Sequence, residues 1–393
     1  MTATTPQHPS EPASAAEPVS GPSASRPMDM VQLFRAVLTK AVQLGASDVH
    51  VSAGGPFRLR MRGKVVPVTG TPDLLPKDTA AIAAAILLDS KHATPQNVES
   101  VVHDLTDIDC SYSLTGTARF RVNLCCQRGS IAATLRNIPI TLPDIAGLNL
   151  PPVLQTLAEQ DRGLVLITGV TGSGKSSTLA AMLSHVNKTK PVKVVTIEDP
   201  IEFLYKDDRA IMIQRELGGD TNSFARALRA ALRQDPDIIM VGEMRDVETV
   251  DIALKAAETG HLVFSTVHTS DAIKTISRLV SVFPPGEQAS VRQRLAETLR
   301  GVVSQRLLPR QDGQGRVPAV EVMINTPTVA DLIADPARTG EIKELIAGGR
   351  SQYGMQTFDQ HLMDLHRSGM LSAEVATAAA SSPADFVRDL QFQ

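Results

Sequence analysis

The stretch that most constrains this chain is Gly169-Val170-Thr171-Gly172-Ser173-Gly174-Lys175-Ser176, which fits the spacing G-x-x-x-x-G-K-[ST]. Leu164-Val165-Leu166-Ile167 precedes it, an unbroken apolar run of the kind a strand buried on both faces requires. Ser176 to Val186 then reads as a helix, so the strand–loop–helix setting of a phosphate-binding loop is present. Its glycines let the backbone curl until successive N–H groups point inward, and the helix N-terminus adds partial positive charge. Lys175 is placed to reach the β- and γ-phosphates of a nucleotide and Ser176 to hold Mg²⁺. Gly169 to Ser177 together form the expected nucleotide-binding segment.

The pattern around this loop fixes the fold class. From Pro151 onward, apolar runs alternate with helical stretches: Leu164–Ile167, Val194–Ile197, Ile238–Val241 and Leu262–Thr266. Between the last two, Val247, Val250, Leu254 and Ala257 form a helical stripe that Gly260 closes. Repeated βα units mean a mostly parallel sheet with helices on both faces, and ligands beyond the C-terminal ends of its strands. Gly301–Leu308 and Val317–Ile324 read as two further strands joined by the turn Asp312-Gly313-Gln314-Gly315. After Asn325 the chain reads as all-helical to about Ala380. The expectation for 151–325 is an α/β P-loop ATPase core, with a helical region over 326–393.

Upstream the pattern differs. Residues 1–27 are rich in Pro, Ser, Ala and Thr, and read as a disordered tail. Residues 28–138 read as a small α+β domain. It has a helix over Met30–Leu44, strands over Asp48–Ser52 and Phe57–Arg62, and a helix over Lys77–Leu88. Two more strands span Ala118–Leu124 and Ser130–Asn137. Residues 139–150, with Pro139, Pro143 and Gly147, read as a linker.

Composition excludes several classes. No apolar run approaches the roughly 18–20 residues of a membrane span, and the N-terminus lacks the basic and apolar regions of a signal peptide. A cytosolic location follows as the default, with any membrane role mediated by a partner. A net charge of −3 and 3% aromatic residues with no Trp give no basis for nucleic-acid binding. Three cysteines, Cys110, Cys125 and Cys126, cannot make a disulfide framework or a four-thiolate zinc site.

Polar clusters fall at the strand ends. Glu198-Asp199-Pro200-Ile201-Glu202 follows Val194–Ile197, within reach of a γ-phosphate, Mg²⁺ or an attacking water. Glu243 follows Ile238–Val241 and Gly242, the placement of a Walker B acid. The alternative for these carboxylates is helix capping or pairing with Arg233 and Arg245. His268, after the Leu262–Thr266 strand, can sense the γ-phosphate or contact a neighbour; His261, at the other end, reads as structural. Phosphoryl transfer also needs positive charge on the transition state. Arg119, Arg121, Arg128 and Arg136 in the N-terminal domain are candidates, set against the alternative of a solvated strand face.

At these residues the chain resembles a known family. Thr196–Glu202 is similar to the Asp box of the secretion and pilus ATPase superfamily, Leu232–Asp246 to its Walker B region, and Thr259–Thr269 to its His box. Gly45-Ala46-Ser47-Asp48-Val49-His50 and Arg119-Phe120-Arg121-Val122-Asn123 also match. Within the superfamily, the sequence resembles the type IV pilus retraction (twitching-motility) ATPases, PilT and PilU. The resemblance implies a hexameric ring, a PAS-like N-terminal domain, a RecA-like ATPase domain and docking on the cytoplasmic face of the pilus machine's inner-membrane platform. The expectation from these residues is an ATPase using ATP and Mg²⁺, with Glu198 polarising the attacking water, Glu243 supporting the metal through water, and one or more of Arg119, Arg121 and Arg136 completing the site across a domain or subunit boundary. One segment departs from the PilT pattern. Thr328-Val329-Ala330-Asp331-Leu332-Ile333-Ala334-Asp335 stands where PilT-type chains have Ala-Ile-Arg-Asn-Leu-Ile-Arg-Glu. With the flanking segments, this brings the chain nearer the accessory paralogue PilU and suggests a sister ATPase as partner. The rival readings are an extension or secretion ATPase, a non-hydrolysing nucleotide-gated subunit, and a RecA-like DNA motor.

Overall fold

The computed structural model describes residues 29–61, 63–114, 116–138 and 141–391, together with the backbone of Val19 and Ser20. The expected tail over 1–27 otherwise lies outside the described residues. The chain divides into two compact units, residues 1–139 and 140–393.

The first unit is an antiparallel sheet with helices. Its elements are β1 (Val19–Ser20), α1 (Met30–Gln43), β2 (Asp48–Val51), β3 (Arg58–Met61), β4 (Lys64–Thr69), α2 (Pro76–Asp89), α3 (Val98–His103), β5 (Asp107–Leu114), β6 (Ala118–Gln127) and β7 (Ser130–Ile138). The strand order is β1-β4-β3-β2-β7-β6-β5, antiparallel except for the short β1–β4 pair. One strand face alternates inward: along β6, Ala118, Phe120, Val122 and Leu124 are buried. They pack with Phe34 and Leu38 of α1 and Ile82 and Ile86 of α2 in one core. Strands β4 and β5 and helix α3 are additions to the sequence expectation.

The second unit runs α4 (Val153–Ala158), β8 (Gly163–Thr168), α5 (Lys175–Thr189), β9 (Lys193–Glu198), β10 (Ile211–Glu216), α6 (Phe224–Ala231), β11 (Ile238–Val241), α7 (Val247–Glu258), β12 (Leu262–Val267), α8 (Ala272–Ser281), α9 (Gln288–Thr298), β13 (Leu299–Pro309) and β14 (Arg316–Ile324). Then follow the α-helices α10 (Pro327–Ala334), α11 (Ile342–Gly348), α12 (Arg350–Tyr353), α13 (Phe358–Arg367), α14 (Ala373–Ala379) and α15 (Pro383–Gln391), with a 3-10 turn at Thr339–Glu341. The sheet order is β10-β9-β11-β12-β8-β13-β14, parallel throughout except for β14, which runs antiparallel to β13.

The unbroken apolar runs have a direct cause. Leu164 and Leu166 of β8 enter the core on one side of the sheet, while Val165 and Ile167 enter the core on the other. β11 divides in the same way, Ile239 and Val241 against Ile238 and Met240. Within 141–150, Ile145 and Leu150 are buried in this unit's core rather than exposed. Along α7, Val250, Leu254 and Ala257 are buried, whereas Val247 at the first position is 39% exposed. Among the described residues, no helix is long and apolar enough to cross a membrane.

Candidate active site

All parallel strands of the second sheet point their C-terminal ends the same way, and the chemistry collects there. β8 ends at Thr168 and the chain turns at Gly169 with φ +149°. A Cβ here would fall on Ser173 Oγ and stand 2.5 Å from the Gln305 carbonyl, so the turn demands glycine. Gly172 and Gly174 also have positive φ, +79° and +89°, and Gly174 hands the chain to α5. Lys175, the first residue of α5, is buried, and its Nζ donates to the carbonyls of Gly169 at 2.9 Å and Val170 at 3.0 Å. Burial pushes its pKa down, and the charges of Glu202 and Glu243 oppose that shift. Thr171, Gly172, Lys175 and Ser176 line a cavity of about 300 Å³, while Val170 is 67% exposed on the outside of the loop.

Glu198 closes β9 and is 7% exposed. Its Oε1 accepts from Thr196 Oγ1 at 2.6 Å and from Gln214 Nε2 at 3.1 Å. Burial raises its pKa, and those two hydrogen bonds hold it back. Asp199, Pro200 and Glu202 line the same cavity, and the Asp199–Pro200 peptide is cis. Glu243 follows β11, the strand that pairs directly with β9. Its Oε2 meets Arg245 Nε at 2.6 Å and His268 Nε2 at 3.6 Å. Pairing with Arg245, an alternative for this acid, is therefore present, and Glu243 still faces the cavity. Arg233 instead donates to the Arg229 carbonyl. Burial, with the Lys175 charge, lowers the His268 pKa against the pull of Glu243. His261 lies at the far end of β12, its Nδ1 2.9 Å from the Ala256 carbonyl oxygen.

The donor set suits one class of metal. Among the described residues, no three His, Cys, Asp or Glu side chains form a metal cage. Mg²⁺ does not need one, because it takes a few protein oxygens and completes its shell with phosphate and water. Ser176 and Glu243, which line the same cavity, fit that habit.

The arginines lie in the first unit. Arg119 donates from Nη2 to Ser111 Oγ at 2.7 Å and from Nη1 to Ser113 Oγ at 3.3 Å. Arg136 donates from Nε to Asp48 Oδ1 at 2.9 Å. Arg121 stands opposite Arg136 in the sheet register and is exposed, and Arg128 sits at the β6–β7 turn with φ +48°.

Two glutamines of this site have no signature in the sequence. Gln214 on β10 holds Glu198, and Gln305 on β13 holds the phosphate loop. Each acts across a gap in sequence, and its own neighbourhood reads as an ordinary strand. Thr196 was within reach of sequence reasoning, because residues two apart on a strand share a face with Glu198.

Residues 25–380 match the family model "Type II/IV secretion system protein". The chain is 43% identical over 359 residues to the Type IV pilus retractation ATPase PilT of Pseudomonas aeruginosa, covering 91% of this chain and 100% of that protein. To the Type IV pilus ATPase PilU of the same organism it is 39% identical over 356 residues, 90% of each chain. Overall identity therefore does not single out PilU. A crystal structure of the pilus retraction motor PilT with bound ADP superposes with a TM-score of 0.80 at 42% identity, covering 90% of this chain and 99% of that one. The chain belongs to the type II/IV secretion system protein family, in the company of its PilT and PilU pilus ATPases.

Proposed function

We propose that this protein is a Mg²⁺-dependent ATPase that drives or assists type IV pilus retraction. The observation that carries the reading is the convergence of Lys175, Ser176, Glu198, Glu243 and His268 on one cavity at the C-terminal strand ends. The loop amides and Lys175 hold the nucleotide phosphates. Bound Mg²⁺ supplies charge that offsets the negative charge building on the transferred phosphoryl group. Glu198 orients and polarises the attacking water, and Glu243 steadies the metal's water shell. Arg119, Arg121 and Arg136 are the candidates for the further cation that phosphoryl transfer uses. The working form is a homo-hexameric ring at the inner membrane, attached through the platform protein of the pilus machine.

The test is steady-state ATPase activity against protein concentration, beside Lys175→Ala and Glu198→Gln. Turnover that rises with assembly and falls by about 10²-fold or more in both variants is expected. Full turnover in Lys175→Ala would remove the site assignment.

A second reading, an accessory subunit working beside a sister ATPase, has one observation in its favour. Helix α10 exposes Thr328 and Asp331, a face without a basic residue. Co-purification of such a sister ATPase and a need for it in retraction would favour that reading.

A further inference from the structure

The two oxygens of Glu198 are treated differently. Oε1 accepts a 2.6 Å bond from the Thr196 hydroxyl and a 3.1 Å bond from the Gln214 amide. Oε2 is approached by the Glu202 N–H at 3.5 Å, the weak limit of a hydrogen bond.

Gln214 is a fully used side chain. Its Nε2 donates to Glu198 Oε1 and, at 2.8 Å, to the Phe203 carbonyl, while its Oε1 accepts from the Tyr205 N–H at 2.9 Å. Reversing the amide would set its oxygen against two acceptors and its nitrogen against a donor, so this orientation is the stable one. Two residues along the same strand face, Glu216 Oε2 accepts from the Ile201 N–H at 3.0 Å. β10 therefore holds both the carboxylate and the loop after it. Thr196 is 0% exposed and lies on the same face of β9 as Glu198, so its hydroxyl cannot turn to solvent. Two donors on one oxygen restrain rotation of the carboxyl group.

We propose that Thr196 and Gln214 are positioning residues that occupy Oε1 of Glu198 and leave Oε2 as the oxygen that receives the attacking water. This rests on the reading of Glu198 as the group that polarises that water. The two residues act through Glu198, so their removal lowers the chemical step and leaves ATP binding in place. Thr196→Val is the cleaner variant, since it keeps the shape and removes one hydroxyl. Gln214→Met keeps an unbranched chain and removes the amide.

The experiment measures kcat, KM for ATP and binding of a non-hydrolysable ATP analogue in the full chain. Thr196→Val, Gln214→Met and Glu198→Gln are compared, and each of the first two is also combined with Glu198→Gln in single-turnover assays. Each single variant is expected to lower kcat by about 10-fold or more, with KM and analogue affinity within about 2-fold, and to add nothing to Glu198→Gln. An inactive Glu198→Gln beside wild-type kcat in Thr196→Val and Gln214→Met would overturn this inference and leave the role of Glu198 standing. Losses that multiply with Glu198→Gln would also overturn it, by showing a structural role independent of the carboxylate. Full turnover in Glu198→Gln would instead remove the reading on which the inference rests.

Discussion

Gln305 donates through Nε2 to the carbonyl of Ser173 at 2.7 Å, across 132 residues of sequence. Its other end accepts from Thr178 Oγ1, also at 2.7 Å, and the side chain is 2% exposed. One amide thus braces the phosphate loop and the first turn of α5. Gln305→Leu strands a buried carbonyl and a buried hydroxyl, each at a cost of about 1–3 kcal/mol. The expected outcome is an ATP dissociation constant raised by about 10-fold and a lower melting temperature, read by nucleotide titration and thermal denaturation. Wild-type affinity in a folded Gln305→Leu protein would mean that the loop keeps its shape without the brace.

Gly169 gives a sharper test of the same loop. Its φ of +149° and the 2.5 Å approach to the Gln305 carbonyl leave no room for a methyl group. Gly169→Ala is expected to abolish nucleotide binding while the circular dichroism spectrum stays that of a folded α/β protein. Gly286 has open space around it, and Gly286→Ala is the control, with stability within about 0.5 kcal/mol and unchanged binding.

Arg121 and Arg136 are both exposed, but Arg136 holds a buried carboxylate. Arg136 reaches Asp48, whose side chain is 5% exposed and which Arg60 approaches at 3.6 Å from the other side. Burial alone would raise the Asp48 pKa, but the bonds from Ser47 and Arg136 outweigh it and hold the carboxyl low. Arg136→Ala is therefore expected to lower stability by about 1 kcal/mol as well as turnover, because a buried charge loses a partner. Arg121→Ala, at an exposed position, is expected to lower turnover with its melting temperature unchanged. Equal loss of stability in the two proteins, by thermal denaturation, would contradict this division.

The parts of this protein that were legible in the sequence share a physical cause. β8, β9, β11 and β12 are buried on both faces, which writes them as mainly apolar runs. The strands that escaped lie at the sheet edges or next to them. β10 is half-buried and mixes Ile with Gln, Arg and Glu. β4 carries Pro67, a residue that argues against a strand but is tolerated beside the two-residue neighbour β1. β5 does alternate, through Ile108, Cys110, Tyr112 and Leu114, but with Cys, Asp and Ser where strands favour β-branched residues. In the site, Lys175 and the strand-end carboxylates announce themselves by position. Gln214 and Gln305 do not, because a glutamine inside a strand acquires meaning only from what the fold sets opposite it.

His361 joins the C-terminal helices to the sheet, and its protonation sets a pH limit on that junction. Its Nδ1 accepts the Val320 N–H at 2.9 Å, so helix α13 is tied to β14 through a nitrogen that must stay unprotonated. Burial pushes its pKa down to about 4, Asp364 pulling it up and Arg350 adding to the fall. The folded state therefore keeps His361 neutral, whereas the unfolded chain takes up a proton near the usual value of about 6.5. Its contribution is whole above about pH 6.5 and is lost as pH falls toward 4, a difference of about 3 kcal/mol. His361→Gln supplies a carbonyl acceptor for the same N–H and binds no proton. Denaturation followed from pH 7.5 to 4.5 is expected to show wild-type stability falling more steeply than that of His361→Gln, with the gap opening below pH 6.5. Parallel curves would mean that the imidazole is protonated in the folded protein, and that the Val320 N–H is held in some other way.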